Sequence, residues 1–131
     1  MVTVLFQTES HFRVDRGKVK AAIVDVLTTS LHSPSEVSVS IVGDRKMHDL
    51  NSHYRHIDDT TDVLSFPLND PSDPKPSFVD NPDGVLRLGD IIVSYPQAVA
   101  EAADENKMVD DKIVELVLHG LNHLLGIHHP E

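Results

Sequence analysis

Residues 108–125 set the strongest limit on what this chain can become. Ile113, Val114, Leu116, Val117, Leu121, Leu124 and Leu125 recur there at helical spacing and make one wide apolar face. A helix with such a face must bury it against a second layer. Four short stretches can supply that layer as strands. VTVLFQ (2–7) is rich in β-branched and apolar residues, and VSVSIV (37–42) alternates strictly, as a strand with one buried face does. DVLSF (62–66) stops at Pro67, and LGDIIVS (88–94) carries a glycine that suggests a bulge or a close backbone approach. Helical spacing marks 15–29, with Asp15 as N-cap, then 45–54 and 97–105, where Pro96 suits a first turn. The segment 68–87 holds Pro71, Pro74, Pro76, Pro82 and Gly84, and reads as a long surface excursion that excludes a central strand. The order is β-α-β-α-β-β-α-α. The expected fold class is α+β: one domain over 1–131, with a small mixed sheet of about four strands packed with helices.

Composition narrows the chemistry. With no cysteine, a disulfide frame, a thiolate metal site and a cysteine nucleophile are excluded. The opening MVTVLFQTESHFRVDR lacks a basic segment followed by an apolar one, so no signal peptide is expected, and no apolar run reaches the length of a membrane span. A cytoplasmic protein without a membrane partner fits these features. The net charge of −10 argues against wrapping nucleic acid by charge alone. An anionic substrate would need a local positive site, such as a metal or a placed arginine.

The end of the chain, LVLHGLNHLLGIHHPE, places four histidines within eleven residues: His119, His123, His128 and His129. His119 and His123 are four apart. On a helix they stack on one face about 5–6 Å apart at Cβ, a separation that suits two imidazoles on one small cation. Set among leucines, the pair is expected to be largely buried and hence in need of partners. A catalytic zinc usually takes three protein ligands. Gly126 is expected to end the helix in a left-handed turn, which lets His128 or His129 approach the same ion. The peptidase pattern H-E-x-x-H carries a glutamate beside its first ligand as general base, whereas Gly120 stands there in this chain.

The run H-G-L-N-H-L-L-G-I-H-H over 119–129 resembles the signature H-G-x-x-H-L-x-G-Y-D-H of the YbeY family of zinc-dependent endoribonucleases. LNSHYRHIDDTTDVLSFP (50–67) and LGDIIVS (88–94) resemble two further motifs of that family, whereas the first 49 residues match only as a β-α-β pattern. Ile127 and His128 depart from it, standing where tyrosine and aspartate are usual, and Asn122 takes a position that is normally apolar. The resemblance implies zinc held on the C-terminal helix by His119, His123 and His129, with Arg55 as the active-site arginine. Catalytic roles then fall to Arg55, His119 and His123, and substrate contacts to Arg55 and Arg87. Nickel or another divalent ion could replace zinc. The implied activity is cleavage of single-stranded RNA in ribosomal RNA maturation and ribosome quality control, with the ribosome or small-subunit assembly proteins as partners.

Other residues have plainer readings. Thr61 and Asp62 start a strand or cap a turn, Ser65 is a strand side chain with no base near it in sequence, and His48, His53 and His56 are solvated helix-face residues. Two rival functions remain. One is a metal-dependent hydrolase of peptides or esters, and the other a non-catalytic ribosome-associated module stapled by zinc.

Overall fold

The computed structural model describes residues 1–9, 11–68 and 84–128, the side chains of Ile127 and His128 excepted. Its elements are β1 (Val2–Thr8), α1 (Arg16–Ser30), β2 (Ser35–Val42), α2 (Asp44–Arg55), β3 (Val63–Pro67), β4 (Leu86–Ser94), α3 (Tyr95–Glu105) and α4 (Val109–His128). The expected order is present. The sheet runs β1-β2-β4-β3. β1, β2 and β4 are parallel, and β3 lies antiparallel on the outer edge of β4. The fold is thus α+β, with a four-stranded mixed sheet and four helices.

Alternation along the strands sorts side chains onto two faces. Val37, Val39 and Ile41 of β2 are buried, while Glu36, Ser38 and Ser40 are half-exposed. The buried set joins Ile91 and Val93 of β4, Val19, Ile23 and Leu27 of α1, and Ile113, Leu121 and Leu124 of α4 in the main core. A smaller cluster on the other face holds Val42, Met47 and Leu64, with Leu50, Phe66 and Ile92 packed against it. β3 therefore turns Leu64 and Phe66 toward α2, and Val63 and Ser65 toward α4.

Helix ends follow local chemistry. The Asp15 carboxylate accepts the Lys18 N–H at 3.1 Å and caps α1. The Ser94 hydroxyl does the same for α3, accepting the Gln97 N–H at 3.3 Å, and Pro96 sits in the first turn. Lys112, at 6% exposure, is held on α4 by Glu105 at 2.8 Å, Glu115 at 2.9 Å and Glu101 at 3.4 Å. Hydrogen bonds from Lys112, then from Lys107, hold the Glu105 and Glu115 carboxyls below their ordinary range.

Three expectations need correction. α4 continues through Gly126 to His128, and Gly126 has no left-handed backbone. A helical glycine costs only about 1 kcal/mol relative to alanine, too little to stop a helix anchored by a long apolar face. His56 is the C-cap of α2, with φ 58°, and not a residue of the helix face. Finally, Leu86 and Arg87 belong to central strand β4, so the excursion is shorter than 68–87; residues 69–83 lie outside the described ones. The expected irregularity at Gly89 is present. The β2–β4 register shifts between Glu36 and Val37, Gly89 takes φ 139°, and a Cβ there would collide with the Phe66 carbonyl oxygen.

Candidate active site

A cleft of about 730 Å³ opens between the C-terminal end of α2, the connection that follows it, β3 and α4. Arg55, Asp62, Ser65, His119, Asn122 and His123 are among its lining residues. Residues more than sixty positions apart in the chain thus share one wall-to-wall space.

Each is placed by an identifiable cause. Arg55 is the last residue of α2, where a cation suits the helix dipole. His56 in the left-handed region closes the helix by donating its N–H to the Ser52 carbonyl at 3.1 Å, so the chain turns away just beyond Arg55. Side chains of α2 then pin the connection. The buried Asn51 amide donates to the Asp59 carbonyl at 2.9 Å, and His48 pairs with Asp58 at 2.7 Å. Asp44 accepts from the Thr60 hydroxyl at 3.2 Å and from the Ser94 hydroxyl at 2.7 Å. The connection is thereby held to both α2 and the sheet. Arg55 itself is exposed and has no carboxylate partner among the described residues. A solvated guanidinium at a cleft wall is available to bind an anion in a two-pronged hydrogen bond.

His119 and His123 lie on the face of α4 that looks away from the core. Leu116, Val117, Gly120, Leu121 and Leu124 are buried, and His119, Asn122 and His123 are exposed. The expected burial of the imidazole pair is therefore wrong. Helical phase separates them from the leucines, and Asn122, polar where an apolar residue is usual, shares their face. Gly120 lets this face approach the sheet. A Cβ added there would lie 2.9 Å from Ile91 Cγ2 and 3.6 Å from Ser65 Cβ. Gly120 itself lines the cleft, but the first atom of a side chain there would crowd Ile91 of the sheet, and glycine offers no group to act as the base that the peptidase glutamate supplies.

Two features escaped the sequence reading. Ser65 Oγ lies 2.6 Å from His123 Nδ1, giving the hydroxyl an imidazole partner 58 positions away in the chain. The reading of Ser65 as a residue with no base near it holds along the sequence and fails in space. Asp62, read as a strand starter, does accept the Val63 N–H at 2.7 Å, but it also stands beside Glu101 of α3. Burial first, and then the negative charge of Asp62, push the Glu101 carboxyl above its ordinary range.

Arg87 is not brought into this cleft. Its guanidinium pairs with Glu36 at 3.2 Å and lines a separate depression with Leu5, Ser38 and Asp90. His129 lies outside the described residues, as does the side chain of His128. Among the described residues there is no group of three or more histidines, cysteines, aspartates or glutamates placed to hold a metal ion. The donor chemistry that is described, two imidazoles one helical turn apart on a polar wall, fits a borderline-soft divalent cation but needs completing from elsewhere. No helix among the described residues is long and apolar enough to cross a membrane.

Comparison with known proteins assigns the chain to a family. The sequence profile of the family described as Endoribonuclease YbeY matches residues 5–131. Endoribonuclease YbeY of Desulfitobacterium hafniense (strain Y51) is 36% identical over 122 residues, which cover 89% of this chain and 76% of that protein. Endoribonuclease YbeY of Roseiflexus castenholzii is 40% identical over 117 residues, covering 88% of this chain and 71% of that one. The solution structure of TM1509 from Thermotoga maritima superposes with a TM-score of 0.61 at 23% identity, over 98% of this chain and 76% of that one, and shares its fold. Matched along nearly its whole length, the chain belongs to the Endoribonuclease YbeY family.

Proposed function

We propose that this chain is a metal-dependent endoribonuclease that cuts single-stranded RNA during ribosomal RNA maturation and ribosome quality control. The observation that carries the reading is the meeting of Arg55, His119 and His123 in one cleft. Relatives named as endoribonucleases support the reaction class. In this reading His119 and His123 hold zinc, or a related divalent ion, together with His129. Bound zinc supplies Lewis acidity, activating water near neutral pH and offsetting the negative charge that grows on phosphorus. Arg55 grips a phosphate oxygen with its guanidinium fork and orients the phosphodiester. Asn122 adds a polar group to the wall of the cleft. With a net charge of −10, the chain must rely on this local site, helped by the ribosome or its small-subunit assembly proteins, to hold RNA. We place the protein in the cytoplasm, where that substrate is made.

Parallel assays with single-stranded RNA, duplex RNA and a peptide pool test this reading. Cleavage of single-stranded RNA alone is expected, lost with chelator and restored by zinc. Peptide hydrolysis, or RNA cleavage indifferent to chelator, would overturn it.

A further inference from the structure

We propose that Ser65 is a positioning residue: its hydroxyl accepts the Nδ1–H of His123 and fixes the neutral ring in the tautomer that offers the Nε2 lone pair to the cleft. This rests on the reading of the cleft as a cation site. The separation of Ser65 Oγ from His123 Nδ1 is 2.6 Å, at the short end of hydrogen-bond distance. Three features of the fold set it up. Ser65 pairs with Ile91 across β3 and β4, and alternation turns both side chains toward α4. Gly120, between the two histidines on α4, leaves no side chain to prop the helix off this pair, since a Cβ there would meet Ile91 Cγ2 at 2.9 Å and Ser65 Cβ at 3.6 Å. The neighbours Leu64 and Phe66 belong to the opposite apolar cluster, so a one-residue slip of β3 would put an apolar group under the ring.

A hydroxyl can give or take a proton, and the cation reading of the cleft chooses between the two. Were it to donate, the ring proton would sit on Nε2, the nitrogen farther from the backbone, and His123 would have no lone pair for a cation. A histidine that ligates through one nitrogen donates the N–H of the other to an oxygen acceptor, and that partner fixes both tautomer and ring orientation. The alternative pairing, a serine nucleophile with His123 as its base, lacks the third group that orients such a base: no carboxylate bonds to His123 among the described residues.

Nitrogen-15 NMR of the metal-free protein at about pH 8, where imidazole is neutral, reads the tautomer directly. His123 is expected as Nδ1–H in the wild type and in Ser65→Thr, which keeps the hydroxyl. Ser65→Ala is expected to shift it toward the Nε2–H form that free histidine prefers in water. Competition with a chromophoric chelator should show zinc affinity lower by about 10–100-fold in Ser65→Ala and regained in Ser65→Thr. The proposal is overturned if Ser65→Ala keeps the wild-type tautomer or the wild-type zinc affinity. Ser65→Ala that binds zinc normally yet no longer cleaves RNA also overturns it, in favour of the nucleophile. A wild type that shows the Nδ1–H tautomer but takes up no zinc supports the hydrogen bond and overturns the cation reading beneath it.

Discussion

His123→Ala is expected to lose RNA cleavage and zinc together while the protein stays folded. The side chain is exposed on the cleft face of α4, whereas the leucines that anchor the helix, Leu121 and Leu124, are fully buried on the other side. Its removal costs the fold no more than the hydrogen bond to Ser65, about 0.5–1.5 kcal/mol. The chemistry loses far more. On the proposed ligand set, one imidazole fewer leaves two donors, below the three protein ligands that a catalytic zinc usually takes. Without the ion, both water activation and charge stabilisation go, so the rate should fall by more than the ~10²–10³-fold that loss of one oxyanion donor costs. Cleavage assays, elemental analysis and a thermal melt on the same preparation check the three parts. A folded variant that keeps zinc and cleaves at the wild-type rate removes His123 from the site.

Arg55→Ala is expected to separate the two functions. Arg55 sits on α2, on a different wall of the cleft from α4, and neither histidine is bonded to it. Zinc content should therefore be unchanged. Cleavage should fall by about 10²–10³-fold, the usual scale for losing one group that stabilises developing negative charge. Arg55→Lys should recover only part of this, because an ammonium is a point charge and cannot grip two oxygens in a fixed fork. Rates and zinc content measured on both variants decide the matter. A fully active Arg55→Ala protein would leave the phosphate contact without its residue.

Much of the fold was legible because it depends on period. Strict alternation in 37–42 marks β2, although the strand begins two residues earlier at Ser35, where no apolar residue announces it. Asp15 and Pro96 mark helix starts through local hydrogen bonding and ring geometry, which need no distant partner. Gly89 was readable for the same reason. What stayed hidden depends on how elements pack. Helical spacing puts His119 and His123 on one face but does not say whether that face meets the core, and their leucine neighbours suggested the wrong side. Gly126 carries a stop signal that the packing of α4 overrides. Ser65 and His123 meet only because β3 is an edge strand antiparallel to β4 and α4 crosses them at a glycine, and none of that is local in sequence. Arg87 shows the converse: a cation plausible in sequence for the substrate cleft is directed by strand alternation to Glu36 instead.

X-ray diffraction at the zinc absorption edge, on crystals grown with zinc, tests most directly whether α4 presents a shared cation site to the wall that carries Arg55. A single strong anomalous peak is expected within about 2.0–2.1 Å of one ring nitrogen of both His119 and His123. Rings that hold no peak between them, or zinc bound only elsewhere on the chain, would contradict it.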